Sequence, residues 1–302
     1  MSATLPASSP RRAVAYALSA ALLLPMVDGL VKLLVQSYPV VVVAWARFAI
    51  MTVILGVVMY VRLGSGAFRP QAFGVQFVRA SSAVLATGLF YAGLQRLPLG
   101  ESTAIMCLAP ALAAAIAHLW LGERARPLQW SGILISLAGA LMVARPGSEL
   151  FTPLIILPLV ASLAFATFIL ASRLAGSRDD PRTTTFWTSL GGFLLFSLAL
   201  PFSWEHTTVT PDWALFVCVG ALGALGQLAT ALAYRHGQTA VVAPIGYTSL
   251  IVAAMLGVVF FQHIMTVLAG LGMVMIGIGG ILVIRGPLMS TNTDTRPRSR
   301  AV

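Results

Sequence analysis

The sequence predicts an all-α integral membrane protein of ten transmembrane helices, built as two inverted five-helix repeats. Three observations predict it: apolar runs of bilayer-crossing length with short connections, a lopsided placement of arginines in alternate loops, and a self-similarity at an offset of about 140 residues. Of the 302 residues, 58% are hydrophobic and 9% charged. An ordinary soluble domain is roughly 25% charged, and so few charges cannot cover a water-soluble fold of this length. The net charge of +10 comes from basic residues scattered singly between apolar runs. That pattern does not make the basic patch a nucleic acid requires. Cys107 and Cys218 lie far apart in apolar runs without a CxxC partner, as small buried residues do, so neither a metal site nor a cofactor is expected.

A hydrocarbon core is crossed by about 20 apolar residues at 1.5 Å each. The runs of that kind are Ala13–Val35, Val40–Val61, Phe73–Leu94, Ser102–Leu121, Leu128–Val143, Pro153–Ala171, Thr184–Pro201, Trp213–Tyr234, Ala240–Phe261 and Met265–Ile284. They are read as helices because in lipid every backbone N–H and C=O must find its partner within the segment. The short connections predict that consecutive helices are antiparallel neighbours. Residues 1–12 and 287–302 are polar and rich in Pro, Ser and Thr, so both tails are expected to be disordered and cytoplasmic. The first apolar run is longer than a signal-peptide core and carries Asp28 and Lys32, which marks it as a span rather than a cleaved leader.

Orientation follows from the arginines, which concentrate in cytoplasmic loops. With ten spans, Arg11, Arg12, Arg62, Arg69, Arg79, Arg124, Arg126, Arg173, Arg178, Arg182, Arg235, Arg285, Arg296, Arg298 and Arg300 share one side, and Arg96 and Arg145 take the other. Fifteen against two places both termini in the cytoplasm. A span count wrong by one interleaves the loops and destroys the asymmetry.

The repeat shows as Gly132 with Gly272, Gly139 with Gly279 and Arg145 with Arg285, then Lys32 with Arg173 and Trp45 with Phe186 one residue further on. It divides the chain into halves of residues 13–147 and 148–286. Five helices is an odd number, so the second half enters the membrane in the opposite sense, and a substrate site is expected where the halves meet near the midplane.

Charges inside spans point to that site, because a charge at the bilayer centre costs at least about 2.5 kcal/mol and needs a partner or water. Asp28 and Arg47 stand at nearly equal depth, roughly 14 Å on either side of the turn near Tyr38, and Lys32 is one helical turn from Asp28 on the same face. The three either border the substrate path or form a permanent lock between the first two helices with Lys32 reaching outward. Both readings stay open. Glu101 stands at a helix start, where a carboxylate meets the positive helix end or takes part in proton coupling. His118 either takes part in transport or bonds across helices. Tyr91, Trp187, Gln227, Tyr234, Tyr247 and Ser249 offer polar handles and aromatic faces to an organic substrate, or anchor and pack. Pro25, Pro110 and Pro244 are expected to kink their helices. Gly220, Gly223 and Gly226 make a smooth stripe for close helix packing.

Several motifs taken together are similar to a known family. D-x-x-x-K-L at Asp28–Leu33, the Pro39 turn, Arg47, L-P-L-G-E-S-T-A at Leu97–Ala104, Pro110, L-G-E at Leu121–Glu123 and W-S-G-I-L-I-S-L-A-G at Trp130–Gly139 resemble the first EamA domain of the drug/metabolite transporter superfamily. G-Q-T-A-V-V-A-P-I-G-Y at Gly237–Tyr247 and the glycine-rich last helix resemble the second. The pattern departs from the family after the ninth helix, where Gln262 and His263 stand in place of its second G-E. The resemblance implies a secondary carrier in the cytoplasmic membrane that moves a small organic metabolite by alternating access without ATP. Its cargo would be a vitamin such as riboflavin, an amino acid or a related compound. It also implies the lipid bilayer as partner and leaves proton coupling and oligomeric state open. Independently, no G-x-x-x-x-G-K-[ST], H-E-x-x-H or G-x-S-x-G is present, so no ATPase or enzyme signature competes. The other class is a non-transporting membrane protein, a lipid-modifying enzyme or a scaffold. An enzyme needs acids or histidines clustered at one interface, and a scaffold has no use for charges inside its bundle.

Overall fold

The computed structural model describes residues 10–64, 68–120, 127–144, 152–176, 180–203, 212–236, 242, 245–263 and 266–285. Among them are no strands and eleven α-helices: α1 Pro10–Leu34, α2 Val40–Leu63, α3 Phe73–Leu94, α4 Leu99–Met106, α5 Ala109–Trp120, α6 Pro127–Ala144, α7 Ile156–Gly176, α8 Pro181–Ala199, α9 Trp213–His236, α10 Thr248–Phe261 and α11 Val267–Arg285. Seven segments are long and apolar enough to cross a membrane; Leu99–Leu119, which holds α4 and α5, is one of them. The helices α6, α10 and α11 are shorter and equally apolar. Large apolar side chains such as Val53, Val57, Phe77, Leu134, Leu198, Val259 and Leu271 face outward. In water such a surface would aggregate, and in a multi-pass membrane protein it meets lipid.

Prolines mark the beginnings of helices more than their bends. Pro39 and Pro98 immediately precede α2 and α4, and Pro127 and Pro181 open α6 and α8. A first-turn proline loses no helical hydrogen bond and is already at a helical φ. Pro10 opens α1 in the same way, so Arg11 and Arg12, expected in a disordered tail, are helical. The rest of that tail and all of residues 287–302 lie outside the described residues. Pro25 sits inside α1, which stays helical across it. Pro110 does more than kink. Its ring collides with the carbonyl four residues earlier, on Met106, and α4 ends there; α5 restarts at Ala109. Pro244 lies outside the described residues, but its span too is interrupted, with a turn at Tyr247 before α10. The two interruptions, at Cys107 and Tyr247, are separated by the repeat offset.

Consecutive helices are not the main neighbours, contrary to the expectation drawn from short connections. The dominant contacts are α6 with α11, α1 with α9, α3 with α7, α2 with α8, α2 with α9, α1 with α10, α3 with α8 and α5 with α7. Every one joins the first half to the second. Exchanging the halves maps this set onto itself: α1–α9 becomes α7–α3, α2–α9 becomes α8–α3, and α2–α8 and α6–α11 map to themselves. Two interleaved repeats related by an approximate two-fold axis have this signature.

Small residues decide the interleaving. On α9, Gly220 lies against Ile50 and Gly223 against Met51 and Arg47 of α2, while Gly226 lies against Leu23 and Leu24 of α1. The stripe therefore lets α9 wedge between two helices that a tight turn connects. The repeat offset carries these glycines onto Ala80, Ala83 and Ala86 of α3, all buried, and α3 wedges likewise between α7 and α8 with Ala80 against Gly191. The two largest apolar clusters form the core. Val27, Val31, Val43, Phe48, Phe90 and Phe196 belong to the larger, and Ile105, Leu108, Val143, Leu250, Met273 and Ile276 to the one around α4, α6, α10 and α11.

Candidate functional site

Asp28 on α1, Arg47 on α2 and Arg79 on α3 lie well inside described spans of the first half, and Lys32 lies in the last turn of α1. The structure gives them three different surroundings. Lys32 is buried and donates from Nζ to the carbonyls of Leu94 and Leu97, with the Phe261 ring 5.4 Å away. These carbonyls lie at the carboxyl end of α3, where unpaired C=O groups and the helix dipole favour a cation. Replacing Lys32 with methionine removes a charged donor from both. We expect a loss of about 1.5–3 kcal/mol in stability, read as a lower unfolding temperature in detergent with the transport route otherwise intact.

Arg47 is buried and donates from Nη1 to the Tyr91 hydroxyl on α3. Its guanidinium also lies 5.8 Å from the Phe48 ring centre, and its Nε is buried with no hydrogen-bond partner. Asp28 interacts electrostatically with Arg47, Tyr91 and Cys107 but does not close onto Arg47 as an ion pair. The depth match read from the turn brings both groups into one polar region. The wedge of α9 between α1 and α2 keeps them from meeting.

Arg79, assigned above to a cytoplasmic loop, is a correction. It is buried seven residues into α3, donating from Nε to Ser172 Oγ at 2.8 Å and from Nη1 to the Thr184 carbonyl, with the Phe168 ring 4.8 Å from its guanidinium. Its partners belong to α7 and α8, the two helices that α3 divides. The signal was present in the sequence, because Arg79 falls inside the third apolar run, and a charge inside a span is a functional residue by default.

Between the two arginines lies a narrow cavity of about 50 Å³, enough for a few waters. Phe48, Met51, Phe165 and Phe168 form its apolar walls, and Thr87, Thr185, Thr188, Ser189 and Gln227 its neutral polar lining. The helices around it are α2, α3, α7, α8 and α9, so both halves contribute. Of the residues singled out in the sequence, Arg47 and Gln227 line it and Tyr91 and Asp28 stand behind Arg47. Thr87, Thr185, Thr188 and Ser189 carried no motif and were not singled out.

Ser249, Cys107 and Tyr247 form a second group where the two interrupted spans face each other. Cys107 bonds to Ser249, and the Tyr247 hydroxyl is buried without a hydrogen-bond partner, pressed against Gly280. The remaining residues lie elsewhere. Glu101 stands in the first turn of α4, Tyr234 is exposed near the end of α9, and His118 meets Trp130 edge-on at 5.4 Å between α5 and α6. Trp187 donates from Nε1 to the Phe68 carbonyl at 2.9 Å, which clamps the α2–α3 connection to α8. Glu123 lies outside the described residues, and among those described no group of His, Cys, Asp and Glu is placed to hold a metal.

Comparison with known proteins agrees with the doubled architecture. Residues 11–145 and 152–285 each match the EamA-like transporter family. A riboflavin transporter of Vibrio cholerae is 28% identical over 187 residues, which span 61% of this chain and 62% of that protein. A riboflavin transporter of Rhizobium johnstonii is 28% identical over 67% of each chain. The pseudopaline exporter of Pseudomonas aeruginosa is 24% identical over 90% of this chain and 95% of its own. A protein of known crystal structure superposes over 91% of this chain and 96% of that one with a TM-score of 0.62 and 19% identity, a likeness of fold.

Proposed function

The chain belongs to the EamA-like transporter family, and from that premise we propose a secondary, ATP-independent carrier that moves a small organic metabolite across the cytoplasmic membrane by alternating access. The observation that carries this reading is the cavity lined by Arg47 and Arg79 where the two halves interleave. A cavity of about 50 Å³ holds no organic substrate, for which about 300 Å³ or more is usual, so the molecule is closed around its site. Opening requires one half to rock against the other, and the contacts that would slide are the smooth faces of α3 and α9.

In this reading the chain crosses the membrane ten times with both termini in the cytoplasm. Support comes from the pairing of the shorter helices: α6 faces its own counterpart α11, and α10 faces the interrupted span of α4 and α5. Moving Arg79 into the membrane leaves fourteen arginines against two, and the orientation stands. Among the residues singled out in the sequence, Asp28, Arg47, Tyr91 and Gln227 belong to the substrate path. Lys32 and Trp187 serve the frame.

The relatives are transporters of riboflavin in one case and an exporter of pseudopaline in the other, so the cargo class here is a small organic metabolite and the direction is a matter for measurement. The test is uptake and efflux of a metabolite panel, riboflavin and amino acids included, in vesicles containing the purified protein, with and without a pH gradient. At least one compound is expected to cross ten-fold faster than in protein-free vesicles without ATP. No transport across the whole panel would overturn the proposal in favour of a non-transporting membrane protein.

A further inference from the structure

We infer that the cavity between Arg47 and Arg79 is an oxyanion site, so that the carried metabolite bears a carboxylate or phosphate group attached to an apolar or aromatic body. The inference deepens the carrier reading and rests on it. Its starting point is charge. The cavity lining contains two guanidinium groups and no carboxylate. Asp28, the acid that interacts with Arg47, stands on α1 outside the lining and offsets one positive charge at most. A remaining charge in a low-dielectric interior is strongly unfavourable until a counter-charge arrives.

The donors point the same way. Arg47 keeps its Nε buried and unpartnered, and Thr87 and Gln227 add neutral polar groups to the lining. Arg79 spends its Nε and Nη1 on Ser172 and the Thr184 carbonyl, which fixes the planar group and leaves Nη2 for a ligand. Arginine held in this way is suited to carboxylate and phosphate, whose oxygens match its fork. The hydroxyls that α8 contributes to the lining are of the other polarity. Thr185, Thr188 and Ser189 donate their hydroxyl hydrogens to carbonyls of their own helix, those of Pro181, Thr184 and Phe186. Their lone pairs remain to accept from N–H or O–H groups of the bound molecule. Phe165 and Phe168, stacked at 5.2 Å, offer a flat apolar face beside them.

The test uses the full-length protein in lipid nanodiscs and matched pairs of probes at constant ionic strength: riboflavin 5′-phosphate with riboflavin, nicotinate with nicotinamide, benzoate with benzamide, and inorganic phosphate against chloride. The unfolding temperature is read as a function of probe concentration. At least one anion is expected to raise it saturably, with an apparent affinity at least ten-fold above that of its neutral partner. Arg79→Gln and Arg47→Gln should each reduce that affinity at least ten-fold, Arg79→Lys should retain part of it, and Arg62→Gln on the exposed end of α2 should not change it. Since the wild-type measurement stands alone, a variant that fails to fold does not spare the idea. Neutral members binding as tightly as their anions, or no anion acting at all, would overturn it. Vesicle transport separates the two proposals. A neutral compound carried at unchanged rate by Arg79→Gln sinks the anion site and leaves the carrier. Saturable anion binding without transport of any probe sinks the carrier and leaves the site.

Discussion

Alanine at Gly139 or Gly272 is expected to destabilise the protein by about 1–3 kcal/mol each, while alanine at Gly277 on the same helix as Gly272 is expected to be neutral or slightly stabilising. An added Cβ at Gly139 would lie 2.6 Å from the Gly272 carbonyl oxygen, and one at Gly272 would lie 2.6 Å from the Gly139 carbonyl oxygen. Gly132 and Gly279 face each other in the same reciprocal way at 2.6 and 2.5 Å. The obstacle is backbone, which cannot turn aside as a side chain can, so α6 and α11 must separate along their whole crossing. Gly277 has nothing within 4 Å, and there alanine only improves helix propensity. Unfolding temperatures of the three alanine variants in one detergent are the measurement. Equal tolerance at Gly139 and Gly277 would refute the close crossing.

The second large effect concerns Asp28 and Arg47. Asp28→Asn and Arg47→Gln are each expected to lower transport at least ten-fold and to lower stability, because each leaves the other charge without its counter-charge inside the bilayer. The double variant removes both charges. It is expected to recover part of the stability, with a coupling of about 0.5–3 kcal/mol, and to remain inactive. This outcome separates a substrate-path role from a mere lock between helices. A lock predicts that the neutral pair transports normally once it folds, and full transport by Asp28→Asn alone would exclude the role in transport.

Much of the fold was legible without coordinates, and the reason is physical. Lipid forbids unpaired backbone, so apolar run length marks the spans, and the boundaries read for the second and third runs agree with α2 and α3 to within two residues. The glycine correspondences were also readable, since Gly132 and Gly139 recur at Gly272 and Gly279. Their contacts were not. In space Gly132 meets Gly279 and Gly139 meets Gly272, the crosswise pairing that a two-fold axis near Ser136 and Ile276 requires. Self-similarity identifies equivalent residues, whereas a symmetry axis brings equivalent residues together only on the axis itself and crosses the pairs that flank it.

The candidate site divides along the same line. Charges within apolar runs announced Asp28, Lys32 and Arg47, because a charge in lipid has no cheap explanation. Arg79 passed as a loop residue since arginines near span ends ordinarily reach the interface, and only its bonds to Ser172 and Thr184 show it turned inward. Thr87 and Thr188 carry no signal at all, being ordinary residues of helices. The sequence by itself determined that this chain lives in the bilayer, is doubled, and holds charges there. Tertiary structure alone decided which helices touch and which of those charges share a cavity. Membrane insertion depends on each segment's own transfer free energy, while the site depends on small residues letting α3 and α9 pass between the helices of the other half.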